Sequence, residues 1–229
     1  MEEDYKDFLD RNIPLLKEKE INTDSLGHAL TTELIDGLIL EFGVFSGATI
    51  NRIARKFPAS QIYGFDSFEG FPADWETVTK EESAAVFSVE QPAVEKNVTL
   101  IKGWFSEVLP DFLEENTGPL SLVHVDCDIY QSTKDIFELI HGRIVPGTVM
   151  VFDEITNLGR LGLLHEMKAL FELVRDHSLS FGWLNHGYDA GCIFKVINEN
   201  PELFASVEEI RMRFGFHQAY KAAAAIRFK

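Results

Sequence analysis

From Leu38 onward the chain alternates short, unbroken apolar runs with longer segments whose apolar positions recur every three or four residues. Runs of the first kind read as strands buried on both faces of a parallel sheet, and segments of the second kind as helices laid across it. Strands are expected at Leu38–Phe42, Gln61–Phe65, Val98–Ile101, Leu120–Val125 and Thr148–Phe152. Helices are expected at Thr49–Lys56, at Pro110–Glu115, at Thr133–His141 with Ser132 as its cap, and at Leu161–Asp176. Phe181–Leu184 and Cys192–Ile197, joined through Asn185-His186-Gly187-Tyr188, read as a closing hairpin whose last strand runs antiparallel. The pattern predicts an α/β fold, a doubly wound, mostly parallel sheet of seven strands.

Residues 1–36 precede the sheet as a helical cover. Tyr5, Phe8 and Leu9 make one apolar stripe, and Pro14 restarts a second short helix. A third, capped by Asp24 or Ser25, repeats Leu26, Leu30 and Leu34 and stops at Gly37. These helices cover a sheet edge or a dimer face. No repeat, linker or shift of composition divides the 229 residues, so one domain is expected, with a sheet core at 38–197, a lid at 69–95 and a tail at 200–229. In the tail, helices are expected at Val207–Arg213 and Gln218–Ile226.

Composition narrows the partners. The formal net charge is -16, a field that repels phosphate backbones and anionic lipid, and no basic tract offsets it; neither nucleic acid nor membrane is expected. Apolar stretches are broken by Asp36, Glu41 or Pro146 well short of the roughly 20 residues a membrane span needs. Met1-Glu2-Glu3-Asp4 is acidic and no apolar signal region follows, which predicts a cytoplasmic protein acting on a small molecule. Cys127 and Cys192 both lie in apolar strand contexts and read as free thiols.

The chemistry collects at strand ends. Leu122-Val123-His124-Val125-Asp126-Cys127-Asp128 and Val149-Met150-Val151-Phe152-Asp153-Glu154 both stop on carboxylates, and in such a sheet the carboxyl ends of the strands line the ligand crevice. One crossover joins them, so strands roughly 4.8 Å apart bring Asp126, Asp128, Asp153 and Glu154 within reach of one ion. His124 shares the face of Asp126 and is read as a core histidine rather than a ligand. His165 and Glu166 open the helix after the acidic pair, with the border of the substrate mouth as their lesser reading, and Tyr130, Ser132 and Thr133 are placed in the turn. The first strand leads into Glu41-Phe42-Gly43-Val44-Phe45-Ser46-Gly47. This G-x-x-x-G is not the G-x-G-x-x-G of dinucleotide sites, which argues against a nicotinamide oxidoreductase, and an acid before it suits an ammonium group. Asp66, at the end of the second strand, suits two ribose hydroxyls. The combination specifies a nucleoside without phosphate, S-adenosylmethionine. Gly103 would meet the adenine edge, with Trp104, or Trp75 of the lid, closing one face.

Leu40-Glu41-Phe42-Gly43-Val44-Phe45-Ser46-Gly47, Phe65-Asp66-Ser67-Phe68-Glu69-Gly70-Phe71-Pro72, Lys102-Gly103-Trp104-Phe105 and Val125-Asp126-Cys127-Asp128-Ile129-Tyr130-Gln131-Ser132-Thr133 occur in this order. In these motifs the chain resembles the macrocin O-methyltransferase group of class I S-adenosylmethionine-dependent enzymes, from about Leu38 to Val196. The resemblance implies a Rossmann-like fold and cofactor contacts from Glu41, Gly43, Val44, Phe45, Ser46, Gly47, Asp66, Ser67, Phe68, Gly103, Trp104, Phe105 and Asp126. As in the group's sugar-modifying members, it implies Mg²⁺ held by Asp126, Asp153 and Glu154. Asp128 is then the expected general base, with Asp126 able to share the role. Two departures stand out: Asp153-Glu154-Ile155 replaces a double Asp followed by an aromatic, and Cys127 stands where Gly is common. The expected function is O-methylation of a hydroxylated small molecule, a sugar or natural-product intermediate. A metal-independent transferase of the same fold and a noncatalytic S-adenosylmethionine-binding module are the alternatives.

Overall fold

The computed structural model describes residues 2–17, 24–72, 87–153, 155, 165–186 and 224–229. Five parallel strands, β1 (Leu38–Phe42), β2 (Ile62–Asp66), β3 (Val98–Lys102), β4 (Leu120–Val125) and β5 (Val149–Phe152), form where the apolar runs predict them, within one residue at each end. With β6 (Phe181–His186) and β7 (Ala224–Phe228) they make a seven-stranded sheet of order β3-β2-β1-β4-β5-β7-β6, in which β7 is antiparallel to both its neighbours. The order reverses at β1, whose partners are β2 on one side and β4 on the other. That reversal opens a crevice at the carboxyl ends of β1 and β4.

The helices are α1 (Glu2–Lys17), α2 (Ser25–Ala29), α3 (Ala48–Lys56), α4 (Phe105–Glu115), α5 (Tyr130–Ile140) and α6 (Glu166–Asp176). Strand residues alternate between two cores. Leu40, Phe42, Val123, Val125, Met150 and Phe152 pack with Phe8 of α1, Phe112 of α4, Phe137 of α5 and Leu170 of α6. Ile39, Ile62, Leu122, Val149 and Val151 pack with Leu26 and Ala29 of α2 and Ile50 and Ile53 of α3. Burial of each large apolar side chain contributes about 1.5–3 kcal/mol, so both layers are held chiefly by these contacts. No described helix is long and apolar enough to cross a membrane.

Several expectations are corrected. The sheet does not end at residue 197: Ala224–Phe228, placed by the sequence reading in a tail helix at Gln218–Ile226, is the strand between β5 and β6. Its alanines are strong helix formers, but Ala224, Ala225 and Ile226 are fully buried between two strands, and tertiary packing overrides propensity. Cys192–Ile197 and Val207–Arg213 lie outside the described residues. α1 does not break at Pro14 but continues to Lys17, anchored by Tyr5 and Phe8 against Phe171. α4 begins five residues before Pro110, because Leu109, Phe112 and Leu113 form its buried face. α2 is one short turn, with Asp24 accepting from the Gly27 N–H at 2.8 Å, and Leu34 lies beyond it. α5 starts at Tyr130, so Ser132 is a buried first-turn residue and not its cap.

Asn185, fully buried at the β6 bulge, ties three elements together. Its amide donates to the Ser25 carbonyl at 3.1 Å and accepts from the Ala225 N–H at 2.9 Å. Asn185→Ala leaves both groups buried without partners, and a loss of about 2–4 kcal/mol is expected in urea unfolding. A loss below 0.5 kcal/mol would show that the bulge is held by packing alone.

Candidate active site

The glycine loop sits at the reversal of strand order because nothing larger than glycine fits its first turn. Gly43 has φ +91°, and a Cβ there would lie 1.8 Å from the Asp126 carbonyl oxygen. The two strand ends touch through the Asp126 N–H, which donates to the Phe42 carbonyl at 2.9 Å. Asp66 then shapes the loop. Its Oδ2 accepts from the N–H groups of Val44 and Phe45, both at 2.8 Å, and its Oδ1 from Phe68 N–H at 2.7 Å. A carboxylate offers about four acceptor sites, and these backbone donors take three of them. Ser46 and Phe45 are exposed on the loop, and Gly47 is the residue before α3.

Three non-glycine residues around the crevice hold left-handed backbone: Phe45 (φ 46°), Phe68 (φ 56°) and Asp128 (φ 60°). Each costs of order 1–3 kcal/mol, a strain that concentrates at functional loops. Ser67 Oγ accepts from Glu69 N–H and donates to the Gly70 carbonyl. Glu69 and Ser88 form an antiparallel bridge, which ties the first residue of the expected lid to a point seven residues short of its last. Trp75 lies outside the described residues. Trp104, half-buried, precedes α4 and its carbonyl accepts from Glu107 and Val108. Phe105 turns inward, edge-on to Phe42 at 5.4 Å between ring centres.

Glu41 and His124 stand opposite each other in the β1–β4 register. Glu41 is 0% exposed and His124 2%. His124 Nδ1 is 2.9 Å from Glu41 Oε2, and Thr49 Oγ1 donates to Glu41 Oε1 at 3.0 Å. In this arrangement Glu41 offers no surface to a ligand; it acts on His124 and Thr49. Burial pulls the imidazole pKa down, but the hydrogen bond and charge of Glu41, with the fields of Asp126 and Asp153, outweigh it and raise it to about 9. Candidate ligand atoms of His124, Asp126 and Asp153 all lie within 4.8 Å of one another. The expectation of a core histidine holds, since His124 is buried and satisfied by Glu41; its spacing of two from Asp126 also puts both on one strand face. Asp126, Asp128 and Asp153 are all half-buried, and Asp153 follows β5 with its N–H donating to the Val125 carbonyl at 3.0 Å. Glu154 lies outside the described residues. Cys127 is buried, its thiol pKa pushed up by that burial.

A methyltransferase domain model matches residues 40–155, which span β1 through the acidic end of β5. The chain belongs to this family. Over 156 residues it is 30% identical to 8-demethyl-8-(2,3-dimethoxy-alpha-L-rhamnosyl)-tetracenomycin-C 4'-O-methyltransferase of Streptomyces olivaceus, a match covering 57% of this chain and 59% of that relative. Among solved structures, a calicheamicin methyltransferase superposes with a TM-score of 0.54 at 21% identity, over 90% of this chain and 76% of that one. The O-methyltransferase from Bacillus cereus in complex with SAH gives 0.52 at 15% identity, over 99% and 91%. These likenesses place the chain in the class I, Rossmann-like methyltransferase fold.

His165, which precedes α6, caps the loop after β4 from outside: its Nδ1 accepts from the Tyr130 N–H at 2.8 Å. Burial, with the charge of Lys168, lowers its pKa to about 4. A histidine whose folded pKa lies below its unfolded 6.5 loses stability as pH falls from about 6.5 to 4, and has no effect above that window. Urea unfolding of the wild type should therefore weaken by up to about 3 kcal/mol between pH 6.5 and 4 relative to His165→Gln. Parallel pH profiles for the two proteins would contradict the assignment.

Proposed function

We propose that the chain is an S-adenosylmethionine-dependent O-methyltransferase whose acceptor is a hydroxylated small molecule, a sugar or natural-product intermediate, assisted by a divalent cation, Mg²⁺ in the resemblance. The observation that carries this reading is the junction of the glycine loop with the acidic strand ends at one reversal of strand order. The tetracenomycin relative is by name an O-methyltransferase for a rhamnosyl-bearing compound, which supports the acceptor class. Two carboxylates and an imidazole within 4.8 Å form a donor set that fits a divalent cation. Such a cation supplies Lewis acidity toward a hydroxyl, and Asp126 and Asp153 would hold it, with Glu154. The cofactor supplies a sulfonium methyl: the carbon–sulfur bond breaks as the carbon–oxygen bond forms, leaving a thioether and a methyl ether.

The residues of the chain do the positioning. The loop Gly43, Val44, Phe45, Ser46 and Gly47, held open by Asp66, receives the aminoacyl end, and the positive end of α3 beyond Gly47 suits its carboxylate. Asp66 keeps one acceptor site for ribose. Gly103 and Trp104, with Ser67 and Phe68 across the crevice, border the adenine. Asp128, presented by its left-handed backbone, takes the hydroxyl proton. The free, buried Cys127 thiol suits a cytoplasmic location.

A metal-independent transfer is the second reading, favoured by the raised pKa of His124, which sets a positive charge among Glu41, Asp126 and Asp153. Calorimetry with S-adenosylmethionine and methyl-transfer assays before and after chelation separate the two. The first reading expects cofactor binding that survives chelation and turnover that does not. Turnover unchanged by chelation selects the second, and no binding at millimolar cofactor removes both. Asp128→Asn should lower turnover by about 10²–10⁴-fold with cofactor affinity unchanged; full activity would exclude Asp128 as the base.

A further inference from the structure

We propose that His124 is a nitrogen ligand of the divalent site, through Nε2, with Glu41 holding the ring, so that the site selects a transition-metal ion over Mg²⁺. This rests on the reading above that the acidic strand ends bind a cation. The geometry supplies the parts. Nδ1 of His124 is engaged by Glu41 Oε2 at 2.9 Å, and Glu41 is itself fixed by the Thr49 hydroxyl at 3.0 Å. A histidine that ligates a metal almost always donates its other ring N–H to a carboxylate, which fixes tautomer and orientation. Glu41, fully buried one strand away in the same register, is such a partner. An ion at Nε2 takes the place of a proton there, and the hydrogen left on Nδ1 stays with Glu41.

The ligand atoms of His124, Asp126 and Asp153 lie within 4.8 Å of one another. Two donors on one ion at about 2.1 Å stand at most ~4.2 Å apart, slightly inside the 4.8 Å within which these atoms fall. The donor type then decides the ion. Magnesium prefers an all-oxygen shell and keeps its waters, whereas an imidazole beside two carboxylates favours Mn²⁺, Fe²⁺, Co²⁺ or Zn²⁺. The same His124 explains a buried ionisable pair in the middle of a sheet, where two apolar residues would otherwise stabilise the fold as well.

The test is Mn²⁺ binding to the full chain, read by electron spin echo envelope modulation. The wild type should show ¹⁴N modulation from a directly bound imidazole, replaced by the ¹⁵N pattern when the protein is grown on ¹⁵N-histidine. His124→Asn should lose that modulation. Glu41→Gln should retain it but bind Mn²⁺ about 10- to 100-fold more weakly. The isotope arm uses the unmutated chain, so a failure of either variant to fold leaves the proposal decidable. Bound Mn²⁺ with oxygen ligands alone would overturn the His124 ligation and leave the metal-assisted reading standing. No Mn²⁺ or Co²⁺ binding at millimolar concentration would overturn both.

Discussion

The architecture of the site depends on one close approach, that of β1 to β4 at Gly43. A side chain at this position would have to occupy the same space as the Asp126 carbonyl, 1.8 Å from where its Cβ would be. Because the position is glycine, the chain can turn with φ +91° directly over the end of β4, and the Asp126 N–H can reach Phe42. The glycine loop and the acidic ends of β4 and β5 thereby share one crevice. Asp66 fixes the other side of the turn by accepting three backbone N–H groups, so the loop is held by a strand end on each side. Left-handed Phe45, Phe68 and Asp128 are the conformational cost of this arrangement, and all three border the crevice.

Beneath the loop lies the one ionisable pair that the sheet buries completely among its described residues, Glu41 and His124. Removing two charges from water costs several kcal/mol per ion, and the attraction between them roughly returns it only when the remaining acceptor sites are filled. Thr49 fills one of them. The pair links α3, β1 and β4 through Thr49, Glu41 and His124, and the charges of Asp126 and Asp153 act on its imidazole.

Sequence pattern made the five parallel strands legible because each is a mostly apolar run with Gly or Asp at its end: β1, β4 and β5 are buried on both faces, while β3, at the sheet edge, is only partly buried. The positions of the glycine loop, Asp66 and Asp126 were legible for the same reason, since each stands at the end of a strand. Helix starts were less so: Pro110 signals a first turn in isolation, yet the buried face of α4 begins with residues before it. β7 was not legible at all. Ala224 and Ala225 carry no strand signal of their own, and their partners in β5 and β6 are dozens of residues away in sequence. The pairing of His124 with Glu41 was hidden similarly, because they stand 83 positions apart and only the register brings them together.

The central claim is that cofactor loop and acidic strand ends form one site at the β1–β4 junction. A crystal structure of the chain grown with S-adenosylhomocysteine and Mn²⁺, phased at the manganese edge, measures it directly. The account predicts the nucleoside between the Gly43 loop and Gly103, and an anomalous peak bounded by His124, Asp126 and Asp153 on the sulfur side of the ligand. Ligand density elsewhere on the molecule, or an anomalous peak remote from Asp126 and Asp153, would contradict it.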